Sequence, residues 1–451
     1  MTISISLILL FIFLNVSGLL IFKQLEEKWK VLLVNSVLLY IFIAQWAIIF
    51  ILLFSLIVFF GGRFIEKNKS KFAYYGIIFL GLAALLTEKL HLFPKSSLPE
   101  SFTILGISYI TFNGLSYLFD LRKGYIKAES NYWLMLLYLF YFPYISAGPM
   151  HRYKKTIAQF KNKVGLSDKN FSAGFRLILW GLFKNIVLTQ RLKKVVDSII
   201  DNPEIYHGGV VLVGGVVFLI YIYCDFSSYI DIFQGTSQIF GIKLTHNFRS
   251  RVYTAHSRKH YWEGWHVTLN HWFRDYVFYP IARNAKNKWQ FNLAMLSTFS
   301  LIGLWHEVSW KFLIWGFING CWIIIENKVR DHFKFADTPF NRALGTTYHI
   351  VGASFLAIIF RTNNLPATLN ALFAKTNLAV LVDMRLLHQL LYILPLFIFM
   401  DYFYKKAGEK TIDEYIGLFS FKARWAIYIL LAFIILSMGL GQIEDAYYRQ
   451  F

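Results

Sequence analysis

An all-α, polytopic integral membrane protein is the fold class this sequence predicts, and three observations predict it. The 451 residues are 56% hydrophobic and 16% charged, with a mean hydropathy of +0.47, whereas a soluble domain carries about 25% charged residues. The apolar residues gather in many runs of roughly 20, the length that spans a hydrocarbon core of about 30 Å. Basic residues stand in short stretches between these runs, at 63–71, 152–163 and 249–259 and at Lys405, Lys406 and Lys410. Basic loops of this kind orient spans and hold anionic lipid headgroups. They account for the formal net charge of +20 without nucleic acid, which is not an expected partner.

Taken in order, the apolar runs are Ile3–Phe22, Val31–Phe60, Phe72–Leu86, Phe102–Phe119 and Tyr132–Ala147, then Phe171–Leu188, Gly208–Cys224, Phe291–Trp305, Val308–Ile325, His349–Phe360, Leu386–Phe403 and Trp425–Leu440. Val31–Phe60 is too long for one upright span and is expected to tilt or break near Gln45. Phe72–Leu86 and His349–Phe360 are short, and are expected to re-enter the membrane or tuck behind neighbours. About 11 transmembrane helices result. Met1 to Ser6 lacks a basic residue, so a cleaved signal peptide is not expected. The first basic residues, Lys23, Lys28 and Lys30, follow the first run, which places the N-terminus outside. With no internal repeat, low-complexity tract or linker, residues 1–451 read as a single membrane-embedded domain.

The stretch Asp225 to Arg283 mixes charge with aromatic residues. It is too polar for a lipid-facing span and too apolar for a free loop. As one helix, Tyr261, Trp262, Trp265, Leu269, Trp272, Phe273 and Tyr276 share a face by i, i+3, i+4 spacing. Lys259, Glu263, Asn270 and Arg274 share the other, and His266 falls at the seam. Such an amphipathic helix lies at the interface or lines a polar cavity.

Two Trp-His pairs carry the chemical signal. Trp305-His306 lies in Gly303-Leu304-Trp305-His306-Glu307, inside apolar sequence, and Trp265-His266 lies in the amphipathic stretch. An ionisable side chain at membrane depth costs roughly 2.5 kcal/mol or more and is seldom incidental. Histidine titrates near neutrality, which suits a general base; the competing account of His306 is a core histidine satisfied by its neighbours.

Other chemistries have less to build on. His256 and His260 have the HxxxH spacing that sets two ligands on one helical face, but the paired-histidine boxes of membrane di-iron enzymes are absent. His306-Glu307 lacks the second histidine of HExxH, since residue 310 is Trp310. A catalytic metal is therefore not expected. Cys224 and Cys321 read as small buried hydrophobes. Gly208-Gly209 and Gly214-Gly215 read as helix-packing residues, without the Lys-Ser/Thr of a phosphate loop, and no Gly-x-Ser-x-Gly elbow occurs.

Several segments, in order, are similar to one family. They are Leu105-Gly-Ile-Ser-Tyr-Ile-Thr-Phe-Asn-Gly-Leu-Ser-Tyr117, Phe142-Pro-Tyr-Ile-Ser-Ala-Gly-Pro149, Gly181-Leu-Phe-Lys184, and Tyr223-Cys-Asp-Phe-Ser-Ser-Tyr-Ile-Asp231 with Phe240-Gly241 and Asn247-Phe248. Most specific are Trp262-x-x-Trp-His266 through Trp272-x-Arg-Asp-Tyr276, and Gly303-Leu-Trp-His306. The chain resembles the membrane-bound O-acyltransferase superfamily, on its bacterial branch that modifies alginate, peptidoglycan or teichoic acid, over residues 101–361. It departs from the family at Glu307 and Ser228, where Gly is usual, and follows it loosely over 249–261.

The resemblance implies a ring of tilted helices, with re-entrant and amphipathic helices, around a central tunnel where donor and acceptor meet from opposite sides. It implies that His306 is the catalytic histidine and His266 the second characteristic one. The expected function is transfer of an acyl group, acetyl or D-alanyl, from a cytoplasmic thioester to a hydroxyl of an extracytoplasmic polysaccharide or envelope polymer. His306 would act as general base, and His266 would orient the acceptor or polarise the thioester carbonyl. Trp265, Trp305, Asn270, Arg274, Asp275 and Asp225 are the candidate substrate-binding residues, with Asp225, Arg274 and Asp275 acting chiefly through charge pairing in the cavity wall. No bound cofactor is expected; acyl-CoA or an acylated carrier protein is the co-substrate. A separate extracytoplasmic partner and a multi-pass location in the cytoplasmic membrane complete the expectation. The rival reading is a transporter or flippase for a polar lipid or acylated sugar, which would use the same intramembrane charges without covalent chemistry.

Overall fold

The computed structural model describes residues 5–68, 70–90, 106–145, 148–249, 251–376 and 384–438. The ends of the expected runs at 3–4, 102–105, 146–147 and 439–440 lie outside them, as do Met1 and Thr2. Every regular element among the described residues is helical. Among the described residues, seven helices are long and apolar enough to cross a membrane: Ala47–Lys67, Lys71–Lys89, Asp168–Ile200, Gly209–Ile239, Trp310–Phe333, Pro339–Arg361 and Phe421–Met438. Large apolar side chains such as Phe13, Phe72, Phe433 and Leu436 stand exposed along helices, a surface suited to acyl chains rather than water. The chain is a multi-pass membrane protein.

Other apolar helices accompany these seven, and the expected runs and the helices do not coincide one for one. Ile5–Ile21, Trp29–Ala44 and Ile107–Arg122 hold only 16 or 17 residues. Tyr132–Ala147 is not one helix. A nine-residue helix, Tyr132–Phe140, starts on Asn131, whose side chain accepts from the amides of Trp133 and Leu134. Tyr141 then leaves helical geometry, and a single turn, Phe142–Ile145, follows with Pro143 in its first turn, where a missing N–H costs nothing. Leu134 through Phe142 are all buried, so this apolar sequence serves protein packing.

Val31–Phe60 does break at Gln45, which takes the left-handed side of backbone space at φ 41° and separates Trp29–Ala44 from Ala47–Lys67. The two short runs, expected to re-enter the membrane or tuck behind neighbours, belong to longer helices, Lys71–Lys89 with 19 residues and Pro339–Arg361 with 23. Each begins on a polar cap outside the apolar run: Ser70 accepts from Ala73, and Thr338 accepts from Asn341 ahead of Pro339. Gly208–Cys224 likewise continues to Ile239, carrying Asp225, Ser227 and Ser228 buried inside a 31-residue helix.

The described chain forms two compact units. The first comprises Met1–Ile178 and Ile230–His246. In it Glu129, buried between helices, accepts from the Tyr153 hydroxyl at 2.5 Å and from the amides of Ser130 and Asn131, with the Lys161 ammonium at 3.4 Å. The second comprises Leu179–Tyr229 and Asn247–Phe451. It contains both Trp-His pairs.

Candidate functional site

His306 is the last residue of the helix Lys288–His306, and the helix Trp310–Phe333 begins after a turn of three residues. Asn287 caps the first helix by accepting from the Gln290 amide, and Ser309 caps the second. The two run back to back through small residues: a Cβ at Gly303 would stand 2.0 Å from the Phe312 carbonyl oxygen, and one at Gly316 would stand 2.2 Å from that of Phe299. Only hydrogen at these positions permits the contact. This hairpin sets where His306 lies.

The His306 ring is buried among aromatic rings. Its centroid is 4.7 Å from Trp305, 5.6 Å from Trp315 and 5.1 Å from Phe360, the last two edge-on. Trp315 comes from the second hairpin helix and Phe360 from Pro339–Arg361. Three helices thus hold the imidazole by packing.

The amphipathic helix expected through Lys259 to Tyr276 is divided at Trp265-His266 into Arg258–Gly264 and Val267–Phe273, and winds on as a π-helical stretch, Arg274–Phe278. His266 takes left-handed geometry at φ 44° and ψ 52°, uncommon for a residue with a side chain. Side chains meet the needs of the break. Asn270 Nδ2 donates to the carbonyls of Trp262 at 2.5 Å and Trp265 at 2.6 Å, and the Asn247 carbonyl accepts the Val267 amide at 2.9 Å. The predicted faces largely survive it: Tyr261, Trp262, Trp265, Leu269, Trp272 and Phe273 are buried and Lys259, Glu263 and Arg274 are exposed, while Tyr276 of the first face and Asn270 of the second are half-buried.

His266 is completely buried, and Asn247 defines its tautomer. Asn247 Oδ1 accepts from the Thr268 amide at 3.1 Å and the Thr268 hydroxyl at 2.8 Å, and lies 3.2 Å from His266 Nδ1. A backbone amide can only donate, so this atom is the oxygen, and His266 Nδ1 must carry a proton toward it. In the neutral ring the lone pair is then on Nε2. The ring stands edge-on to Phe226 at 4.9 Å and to Trp305 at 6.0 Å. Trp305 therefore packs against both histidines.

His306 opens onto a chamber. Its walls are Phe218, Leu219 and Ile222 from one helix, Ala353, Leu356, Ala357 and Phe360 from another, and Arg258, Tyr261, Trp262, Trp265 and Trp315. Of the residues singled out in the sequence, His306 and Trp265 line it. Trp305 and His266 stand behind His306, and Asn270 closes the helix break. Arg274 pairs with its neighbour Asp275 at 2.9 Å on a partly exposed surface, and neither is among the lining residues. Asp225 is buried, and its carbonyl accepts from the Ser228 hydroxyl at 2.6 Å. In the same helix Ser227 accepts from the fully buried Lys184 ammonium at 2.8 Å.

Arg258 is the site residue that sequence reading missed, because it falls in a stretch taken as a basic loop. It is 3% exposed. Its Nε donates to Asn319 Oδ1 at 2.9 Å, joined there by Nη2 and by Trp262 Nε1. The guanidinium lies over Tyr261 at 4.7 Å, Trp322 at 5.1 Å and Trp262 at 5.4 Å. The available signal was its spacing of three and four residues from Tyr261 and Trp262, which puts it on the aromatic face.

The HxxxH pair is not on one helical face: His256 precedes the Ser257 cap of the helix that carries His260, although the rings lie 4.5 Å apart. Among the described residues, no three of His, Cys, Asp and Glu form a metal-holding group.

A family model described as the membrane-bound O-acyltransferase family matches residues 68–366. Over 264 residues the chain is 30% identical to a probable alginate O-acetylase of Pseudomonas putida, an overlap of 58% of this chain and 53% of that one. It is 26% identical over 317 residues to a teichoic acid D-alanyltransferase of Bacillus subtilis, covering 64% of this chain and 78% of the relative. It is 28% identical over 241 residues to a peptidoglycan O-acetyltransferase of Helicobacter pylori, covering 52% and 45%. The chain spans about half the length of the alginate O-acetylases it matches.

Proposed function

The chain belongs to the membrane-bound O-acyltransferase family, and from that premise we propose that it moves an acyl group from a thioester to a hydroxyl of an extracytoplasmic polysaccharide or related envelope polymer. The relatives named above acetylate alginate or peptidoglycan or D-alanylate teichoic acid by their names, and the proposal carries that common chemistry here. The observation that carries it is His306: a titratable ring, held by three helices, at the wall of an otherwise largely apolar chamber.

On this reading His306 accepts the acceptor hydroxyl's proton as the oxygen attacks the thioester carbonyl. The tetrahedral intermediate then collapses, the C–S bond breaks, and the thiolate takes the proton back from the imidazolium. General base catalysis of this kind is worth about 10²–10⁴-fold. The last carbonyls of the helix Lys288–His306 point toward its C-terminus, an end that favours the positive imidazolium. His266 acts as a positioning residue: what supports this is its contact with Trp305, which in turn packs on His306. With Nδ1–H directed at Asn247, neutral His266 offers an acceptor rather than a donor, which favours orienting a hydroxyl over polarising a carbonyl. The donor is acyl-CoA or an acylated carrier protein from the cytoplasm, the protein sits in the cytoplasmic membrane, and a separate extracytoplasmic protein assists the transfer.

The test is envelope-polymer O-acylation in a strain lacking the chain and complemented with wild type or His306→Ala at equal membrane levels. Restoration by wild type alone supports the enzyme and its base. Full restoration by His306→Ala would remove the mechanism and favour transport of a polar lipid or acylated sugar.

A further inference from the structure

Besides the titratable His306 the chamber is lined by a permanently charged group, Arg258, and its sign bears on the acyl group. Resting on the acyl-transfer reading, we propose that Arg258 makes the chamber selective for an uncharged acyl group of the acetyl class and turns away a cationic aminoacyl group such as D-alanyl.

A guanidinium stays protonated in a protein, so a buried arginine is a permanent positive charge. Arg258 is held in place by Asn319 and by three aromatic faces. None of the residues lining the chamber is Asp or Glu. Glu326, the acid nearest Arg258, lies outside the lining. One of its oxygens accepts the Arg258 amide at 2.8 Å, and the other faces the Arg330 guanidinium at 3.7 Å. A D-alanyl group carries its ammonium on the carbon next to the carbonyl. If that carbonyl is brought to His306, the ammonium enters the chamber with it.

There the ammonium meets a fixed like charge and finds no carboxylate. Aromatic faces hold ammonium groups, but Tyr261 and Trp262 carry the Arg258 guanidinium, and an ammonium set on Trp265, Trp315, Phe218 or Phe360 still shares the chamber with that fixed positive charge. The opposite walls, from Phe218 to Ile222 and from Ala353 to Phe360, are apolar. An acetyl group has no charge and loses nothing by entering. Like-charge repulsion within a buried chamber, at an effective dielectric constant of about 20, gives a discrimination on the order of tenfold.

The experiment complements a strain lacking the chain with wild type, Arg258→Lys or Arg258→Gln, and measures ester-linked acetate and ester-linked alanine released from the envelope polymers by mild base. Wild type is expected to restore acetate and not alanine. Restored alanine would overturn the inference while leaving acyl transfer standing; restoration of neither ester would remove the acyl-transfer reading and the inference with it. Membranes offered acetyl and D-alanyl thioesters together then test the residue. The acetate-to-alanine ratio should fall by about tenfold or more in Arg258→Gln and hold in Arg258→Lys. A ratio unchanged in Arg258→Gln, with total turnover lowered, would make Arg258 only a brace for Asn319 and overturn the assignment.

Discussion

Gly303 lies against the backbone of Phe312, so close that a Cβ on residue 303 would stand 2.0 Å from the Phe312 carbonyl oxygen. The contact falls about one turn before His306, between the two helices of the hairpin.

Gly303→Ala therefore forces the helices apart, because the obstructing atom is backbone and cannot rotate away. Overpacking of this kind costs about 1–3 kcal/mol. The expected outcome is a lower Tm in detergent together with loss of O-acylation, as His306 moves with its helix. A variant with wild-type Tm and activity would show that the hairpin does not position the ring.

Asn247→Ala removes an acceptor shared by the Thr268 amide, the Thr268 hydroxyl and His266 Nδ1. A buried donor left without its partner costs about 1–3 kcal/mol. Stability should fall by that order, and the left-handed turn at His266 should loosen. Asn247→Asp keeps the accepting oxygens and should retain more activity than Asn247→Ala. Equal activity in the two variants would show that this oxygen does not hold His266.

Arg361, 8% exposed, ends the helix Pro339–Arg361 and reaches Asp197 and Asp201, each at 2.7 Å. Arg361→Met leaves both carboxylates without this cation. Since they are about a third exposed, water compensates part of the loss, and about 1–2 kcal/mol is expected rather than the 3–5 kcal/mol of a fully buried pair. Phe360 should shift with the helix end, so thermal unfolding and O-acylation should both report the change. A Tm identical to wild type would show that the pair contributes nothing to the helix end.

Much of this organisation was legible in the chain. Apolar runs identified a helical membrane protein, the length of Val31–Phe60 located the break at Gln45, and i, i+3, i+4 spacing separated the buried aromatic face of 259–276 from its exposed one. These features depend on local composition and period, which a sequence displays directly. The ends of Lys71–Lys89 and Pro339–Arg361 were less legible, because polar caps extend a helix beyond its apolar run.

Other features required the tertiary structure. A helical period passes smoothly through His266, yet the chain breaks there because Asn247 and Asn270 answer the backbone groups the break exposes, and Asn247 is 19 residues away. Arg258 reads as one more basic residue in a charged stretch until Asn319, Trp322 and Glu326, 61 to 68 positions later, are brought around it.

The sequence by itself determined the helical membrane class, the aromatic face and the two Trp-His pairs, since burial in lipid constrains composition at every position. Only the tertiary structure decided that Trp305 touches both histidines, that His306 shares a chamber with Arg258, and that Arg274 and Asp275 are not among its lining residues. Those are distances between residues far apart in the chain, set by how closely helices pack, and a local pattern of residues carries no such distance.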